Sequence, residues 1–154
     1  MKRIALFPGS FDPFTKGHED IVLRGLQIFD EIIVGIGTNI NKKRYFPIEV
    51  MEEMIVKTFA DLPVRVLAYE GLTANIAREN GARYLLRGLR NTTDFEYENS
   101  ISQVNRYIYE DVETVFLITA PHLSPISSSI IRDLHRYHQN IDEFLPYQLS
   151  DTGF

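Results

Sequence analysis

The fold of this chain can be predicted from residues 3–38, which read RIALFPGSFDPFTKGHEDIVLRGLQIFDEIIVGIGT. The two short apolar runs of this segment, 3–7 and 31–38, predict buried strands. Between them, apolar residues recur from Val22 to Phe29 at the spacing of one helix face. A strand, a helix and a second strand in this order are typical of a βαβ unit with parallel strands.

The same alternation continues through the rest of the chain. Apolar runs at 64–69, 82–86 and 113–119 predict three more strands. With right-handed crossovers, the sequence therefore predicts an α/β fold with a doubly wound, five-stranded parallel sheet of the Rossmann-like type. We expect residues 1–154 to form a single domain, and residues 151–154 to form a loose tail.

Four further helices are predicted from apolar spacing and from start signals. Thr93 and Glu96 have the spacing of a capping box, which indicates a helix start at that point. The four helices are expected after Pro47, over 72–80, from Thr93 and from Ser127.

The composition restricts the classes of function. The chain has 154 residues, a formal net charge of -5 and no cysteine. The acidic balance argues against a general nucleic-acid-binding protein, and the lack of cysteine excludes a disulfide scaffold, a thiolate zinc site and a cysteine nucleophile. The first residues contain too few apolar side chains before Pro8 for a signal peptide, and no run of about 18 apolar residues could span a membrane. We therefore expect a cytoplasmic protein that binds neither nucleic acid nor membrane.

In such a fold, ligands bind beyond the carboxyl ends of the strands, and three polar clusters lie there. The first cluster, 8–18, joins the first strand to the first helix. Gly9 permits close approach of a ligand to the backbone, while Ser10 and Thr15 offer hydroxyls. His18 lies at a helix start, where free N–H groups and the helix dipole suit a phosphate. The same residues would also fit a tight turn that ends in a surface histidine.

The other two clusters carry positive charge or hydroxyls. NKKR, 41–44, follows the second strand and is by itself more typical of a solvated charge run than of a binding site. RGLR, 87–90, follows the fourth strand, and two arginines that flank a glycine can grip a polyphosphate. The three serines at 127–129 open the last helix, where hydroxyls either cap the helix or bind phosphate. The joint placement of RGLR and these serines at one end of the sheet favours a phosphate-binding site.

Other residues carry weaker signals. His135 and His138 share a helix face without a third ligand nearby, so we interpret them as surface histidines. No residue is assigned as a metal ligand. DFEYE, 94–98, is typical of a charged helix start, from which Glu98 could reach a ligand held near Arg90.

The first cluster also resembles the signature of a known family. GSFDPFTKGH, 9–18, is similar to the G-x-F-D-P…(H/T)-x-G-H pattern of the nucleotidyltransferase superfamily. Within this superfamily, the sequence is most similar to the bacterial phosphopantetheine adenylyltransferase family. Four features carry this resemblance: Thr15 in place of the first histidine, RGLR at 87–90, DFEYE at 94–98 and ISSS at 126–129. The likeness extends from about residue 2 to residue 147.

This resemblance implies a reaction and its participants. The reaction is adenylyl transfer from ATP to 4'-phosphopantetheine, which gives dephospho-coenzyme A and pyrophosphate in coenzyme A biosynthesis. The resemblance also implies magnesium with ATP, a homohexamer, and coenzyme A as a feedback inhibitor.

The resemblance further implies roles for individual residues. His18, Lys42 and Arg90 would be catalytic through contacts with the transferring phosphates. Phosphopantetheine would be bound by Ser10, Lys42, Thr73 and Arg87. ATP would be bound by Ser10, Phe11, His18, Gly88, Leu89, Arg90, Glu98, Leu123, Ser124, Pro125, Ile126, Ser127, Ser128 and Ser129.

The sequence departs from the family pattern at a few positions. Ser10 stands where threonine is usual, which keeps the hydroxyl and removes a methyl group. Thr73 stands where a larger apolar residue is common, so we expect it to act through its backbone, and the stretch 123–125 also differs. Two other functions remain open: a sibling enzyme, either a nicotinamide mononucleotide adenylyltransferase or a cytidylyltransferase, and a non-catalytic nucleotide-binding module.

Overall fold

A five-stranded, all-parallel sheet with the order β3-β2-β1-β4-β5 forms the centre of the molecule, which confirms the predicted fold class. The computed structural model describes the backbone of residues 1–153 and the side chains of that range except Asp151. The strands are β1 (Ile4–Gly9), β2 (Glu31–Gly37), β3 (Val64–Tyr69), β4 (Tyr84–Leu89) and β5 (Glu113–Ile118).

Two strands extend further toward their carboxyl ends than their apolar runs predict. β1 continues to Gly9, which pairs with Ile36 of β2, and β4 continues to Leu89, which pairs with Ile118 of β5. Backbone pairing needs no apolar side chain, so the ladder outlasts the hydrophobic pattern. As a result, Arg87 lies within β4 rather than in the loop after it.

Within residues 1–153, five α-helices connect or follow the strands, and two 3₁₀ turns come after the last helix. They are α1 (Lys16–Gly25), α2 (Ile48–Thr58), α3 (Thr73–Glu79), α4 (Thr92–Ile108) and α5 (Ser128–Arg136), with 3₁₀ turns at Asp142–Phe144 and Leu149–Thr152.

The helix starts agree with the sequence at α5 and differ at α4. Ser127 caps α5 and accepts a hydrogen bond from the Ile130 amide at 3.2 Å. The predicted capping box at Thr93 is wrong, because Asn91 caps α4 by accepting from the Asp94 amide at 2.9 Å. Asn is among the strongest N-cap residues, so it starts the helix two residues earlier than the Thr93 pattern suggests.

Alternate residues of the central strands point to opposite faces of the sheet and fill two separate cores. On one face, Ala5 and Phe7 join buried residues of α1, α2, α5 and the segment after α5. On the other face, Leu6 and Ile33 pack with buried residues of α3 and the chain around Ala82. Helices on both faces are what a doubly wound sheet requires.

The order of the strands fixes where a ligand can bind. The chain fills one side of β1 with β2 and β3, and then crosses to the other side to form β4 and β5. The crevice at the carboxyl ends of β1 and β4 is therefore the topological switch point, the place where open α/β sheets bind ligands.

No helix within residues 1–153 is both long enough and apolar enough to cross a membrane. The predicted loose tail at 151–154 falls partly outside the described residues, and Leu149–Thr152 form a short 3₁₀ turn.

Candidate active site

A first cavity of about 380 Å³ opens at the switch point and brings together residues of the first cluster, of RGLR and of the three serines, but none of NKKR. The turn after β1, the start of α1, the end of β4 and the start of α5 form its walls. Leu89, Ser124 and Pro125 do not line it, although the resemblance assigned them to ATP. The other predicted ATP residues do line it: Ser10, Phe11, His18, Gly88, Arg90, Glu98, Leu123, Ile126, Ser127, Ser128 and Ser129.

His18 is oriented by Thr15, the residue that caps α1. The Thr15 hydroxyl accepts from the His18 amide at 3.4 Å, and the Thr15 amide donates to Nδ1 of His18 at 3.0 Å. Because Nδ1 accepts this hydrogen bond, the neutral ring carries its proton on Nε2. Nε2 is therefore the atom with which His18 can donate to a ligand.

Aromatic rings surround the imidazole of His18 and keep it neutral. The ring centroids of Phe11 and Phe14 lie 5.0 Å and 5.3 Å from that of His18. This burial lowers the pKa of His18 from 6.5 to about 3, and the positive charges of Arg87 and Arg90 contribute to the shift. Without a bound anion, His18 is a neutral hydrogen-bond donor at neutral pH.

The turn that carries Phe11 is strained and is tied to the loop after β2. Phe11 has a φ of 44°, in the left-handed region, where a residue other than glycine costs about 1–3 kcal/mol. Asp12 is only 8% exposed, and its carboxylate accepts from the amides of Tyr45 at 2.9 Å and Phe46 at 2.7 Å. These bonds offset the strain and fix the turn against the NKKR loop.

Two arginines that hold the same turn were missed by the sequence reasoning. Arg44 donates to the carbonyl oxygens of Ser10 at 2.6 Å and Phe11 at 3.0 Å. Arg132 donates to the carbonyl oxygen of Asp12 at 2.7 Å. The NKKR pattern marked the loop that contains Arg44, but nothing in the sequence indicated which backbone it would contact.

A bidentate ion pair between Arg87 and Glu98 separates the first cavity from a second one. Nε and Nη2 of Arg87 donate to the Glu98 carboxylate at 2.7 Å and 2.5 Å, and Nη1 donates to the carbonyl of Pro8. Glu98 is only 8% exposed, and both side chains line both cavities. The family resemblance implies that Arg87 binds one substrate and Glu98 the other, and the structure places the two side chains in direct contact.

The second cavity has a volume of about 460 Å³ and a mixed polar and apolar lining. Thr73 lies in it, and the Thr73 hydroxyl is 3.0 Å from the hydroxyl of Tyr69. Ile101 and Asn105 line it from α4. Ser10 lines this cavity as well as the first one, so the two spaces meet at the turn after β1.

Arg90 lies at the exposed rim of the first cavity, next to the start of α4. Its amide and its Nε both donate to Oδ2 of Asp94 at 3.0 Å, and its Nη2 donates to Oδ1 at 3.3 Å. The Arg90 side chain keeps 42% of its surface exposed, so the guanidinium can contact a ligand in the cavity without leaving Asp94.

The three serines at the start of α5 have different local partners. Ser127 caps the helix, Ser128 donates to the carbonyl of Pro13 at 2.8 Å, and the Ser129 hydroxyl accepts from Arg132 at 3.2 Å. The helix start still presents backbone N–H groups to the cavity, which is the usual arrangement for an anion.

Lys42 lines a third cavity of about 700 Å³, which adjoins the first one at Ser10 and Arg132. Lys43, Arg44 and Arg136 also line it, so its wall is strongly cationic. Lys42 is exposed and lies in the loop after β2. The structure therefore places His18 and Arg90 at the first cavity and Lys42 at the third cavity, and Ser10 lines both of these cavities.

The interpretation of His135 as a surface histidine is wrong, whereas His138 is exposed as expected. Nδ1 of His135 lies 2.5 Å from the hydroxyl of Tyr45, and the two rings meet edge to face at 5.5 Å. His135 therefore packs α5 against the loop after β2. Within the described residues, no group of three or more His, Cys, Asp or Glu side chains could hold a metal ion.

The chain has close relatives of known name. Residues 6–134 match the model of the cytidylyltransferase-like family. The phosphopantetheine adenylyltransferase of Cytophaga hutchinsonii is 58% identical over 150 residues, which cover 97% of this chain and 100% of that one. The phosphopantetheine adenylyltransferase of Flavobacterium johnsoniae is 50% identical over 145 residues, which cover 94% of this chain and 95% of that one.

Solved structures share the fold at much lower identity. A bifunctional NMN adenylyltransferase/ADP ribose pyrophosphatase from Francisella tularensis has a TM-score of 0.72 and 16% identity. The match covers 96% of this chain and 46% of that protein, so this chain spans less than half of its length. A second structure, of a protein with the same description complexed with AMP and a manganese ion, has a TM-score of 0.70. These likenesses concern the fold alone.

Proposed function

The chain belongs to the phosphopantetheine adenylyltransferase family, within the cytidylyltransferase-like nucleotidyltransferases, and we propose that it transfers the adenylyl group of ATP to 4'-phosphopantetheine. The products are dephospho-coenzyme A and pyrophosphate. The observation that carries the proposal is the junction of the first and second cavities at Ser10, with His18 on one side and Arg87 between them.

Each cavity suits one substrate. The first cavity has a helix N-terminus, three arginines (Arg87, Arg90 and Arg132) and His18, which together match a triphosphate. The second cavity is of mixed polarity, which suits an arm that contains amides and methylene groups. A phosphate at the inner end of that arm would lie near Ser10 and Arg87, next to the α-phosphate of ATP.

The reaction needs positioning and charge stabilisation more than proton transfer. A phosphate oxygen of phosphopantetheine, already anionic at neutral pH, attacks the α-phosphorus of ATP in line, and the bond to pyrophosphate breaks. No general base is required. Nε2–H of His18 donates to the phosphate oxygens, and Lys42 and Arg90 offset the charge that develops on them.

Magnesium would enter the site on the phosphates of ATP. The carboxylates of Asp94 and Glu98 line the first cavity, and both are paired with arginines. Mg²⁺ commonly uses substrate phosphates and few protein ligands, so the donor set fits an ion carried by ATP. When bound, it neutralises charge on the leaving pyrophosphate.

The family also suggests a homohexamer in the cytoplasm that coenzyme A inhibits. Exposed apolar side chains on α4, including Tyr107 at 91% and Val104 at 57% exposure, support a face between copies of the chain. Sedimentation should then give six times the 17.8 kDa mass of one chain. Coenzyme A contains both an adenosine group and a pantetheine arm, so it should compete with both substrates.

Pyrophosphate release with ATP and 4'-phosphopantetheine, with and without magnesium, tests the proposal. Nicotinamide mononucleotide and glycerol 3-phosphate serve as alternative acceptors. Preferred turnover of either would replace the proposal with a sibling activity. Binding of ATP without pyrophosphate release for any of the three acceptors would indicate a non-catalytic nucleotide-binding module.

A further inference from the structure

The turn after β1 has a backbone held almost entirely by side chains from elsewhere in the chain. Five consecutive carbonyl oxygens, those of residues 10–14, each accept a hydrogen bond from a remote side chain. The donors are Arg44 to Ser10 and Phe11, Arg132 to Asp12 at 2.7 Å, Ser128 to Pro13 at 2.8 Å and Tyr147 to Phe14 at 2.9 Å.

Arg44 makes two of these five contacts, and one of them holds Phe11, the residue of this turn with a positive φ. Its guanidinium donates to Ser10 at 2.6 Å, to Phe11 at 3.0 Å and to Phe46 at 3.1 Å, always to carbonyl oxygens. Its side chain is only 18% exposed, and the Asp12 carboxylate lies 3.9 Å away. A planar guanidinium can donate to several acceptors at fixed angles, whereas a lysine ammonium lacks that geometry.

We propose that Arg44 is a positioning residue for adenylyl transfer, because its guanidinium fixes the Ser10–Phe11 backbone where the two substrates meet. The proposal rests on the proposed function. Arg44 lies two residues after Lys42, so the loop that presents a cation to the phosphates also sets the position of the turn beneath them. A shift of that turn would move Ser10 in both cavities and the Phe11 ring beside His18.

If Arg44 positions the turn, replacing it with another cation should still lower kcat. We expect Arg44→Lys to lower kcat by at least about tenfold and to change the KM for ATP by less than about threefold, as misplacement of reacting groups does. Lys43→Ala is the matched control, since it removes one positive charge from the same loop and the same cavity. It should change kcat by less than about threefold, because the Lys43 side chain makes none of the contacts to the turn.

Arg44→Ala provides a second readout through chemical rescue. Millimolar guanidinium chloride should restore part of the kcat of this variant and should leave wild type and Lys43→Ala unchanged. If Arg44→Ala does not fold, Arg44→Lys and Arg44→Gln, checked by circular dichroism and melting temperature, decide the question on kcat alone.

Three results would overturn the proposal. A wild-type kcat in Arg44→Lys would show that position 44 needs only a positive charge. A loss of kcat in Lys43→Ala equal to that in Arg44→Lys would show that turnover depends on the electrostatic potential of the cavity. A lower melting temperature with unchanged kcat would show a purely structural role. In contrast, failure of the wild-type chain to turn over ATP and phosphopantetheine would contradict the proposed function itself.

Discussion

The low pKa of His18 predicts a specific dependence of stability on pH. In the unfolded chain the imidazole has its ordinary pKa of 6.5, whereas burial in the folded chain lowers that pKa to about 3. Between these values the unfolded state binds the additional proton, so the free energy of unfolding falls as the pH falls below 6.5. The contribution is complete above pH 6.5 and is lost progressively toward pH 3.

The size of this loss in the free energy of unfolding depends on how far the pH of the experiment lies below 6.5, the pKa of His18 in the unfolded chain. Each pH unit below 6.5 costs about 1.4 kcal/mol, so lowering the pH from 7.5 to 5.0 should cost about 2 kcal/mol through His18 alone. His18→Gln keeps a polar side chain and cannot titrate. All other titrating groups are common to both chains, so their contributions cancel in the comparison.

The assay is urea unfolding of wild type and His18→Gln at both pH values, at equal protein concentration and in buffers free of phosphate. Phosphate is omitted because a bound anion would stabilise the imidazolium. We expect wild type to lose about 2 kcal/mol more than the variant over this range. Equal losses, within about 0.5 kcal/mol, would refute the lowered pKa of His18 in the folded chain.

Three further predictions concern catalysis and packing. His18→Ala should lower kcat by at least about 10²-fold with a modest effect on ATP affinity, as loss of a transition-state donor does, and near-normal turnover would contradict its role. Lys42→Ala and Arg90→Ala should each lower kcat/KM in pyrophosphate release, and unchanged kinetics in both would show that these cations are merely solvated. Gly25→Ala should lower the free energy of unfolding by about 1–3 kcal/mol, measured in urea, because the new methyl carbon would lie 2.7 Å from a Leu86 methyl in the core. A wild-type midpoint in urea would show that Leu86 moves aside freely.

The sequence was sufficient to predict the sheet because the relevant signal is local and repeated. Each strand is a short apolar run, and each crossover has helical spacing, so the alternation alone leads to a parallel sheet with helices on both faces. The strand ends were less predictable. Gly9 and Leu89 carry no strand signal of their own, and they pair only because a neighbouring strand continues beside them.

Site residues that belong to contiguous motifs were predictable, whereas contacts between residues far apart in sequence were not. His18 and Arg90 belong to contiguous motifs, and the structure places both at the first cavity. The partners that orient the site are far apart in sequence, such as Tyr147 and the turn at Phe14. The pairing of Arg87 with Glu98 was equally invisible, because no pattern in one sequence says that two predicted ligand contacts will bind each other.

The donors to the carbonyl oxygens of residues 10–14 also bear on the order in which the site is completed during synthesis. The turn leaves the ribosome before all four of the residues that donate to it, which are Arg44, Ser128, Arg132 and Tyr147. A nascent chain can therefore form β1 and α1 early but cannot complete the hydrogen bonds to the turn between them until Tyr147 has emerged. The segment that carries the signature of the family is therefore synthesised before the residues that hold it in place, so a chain truncated before Tyr147 would carry the motif without all of these hydrogen bonds.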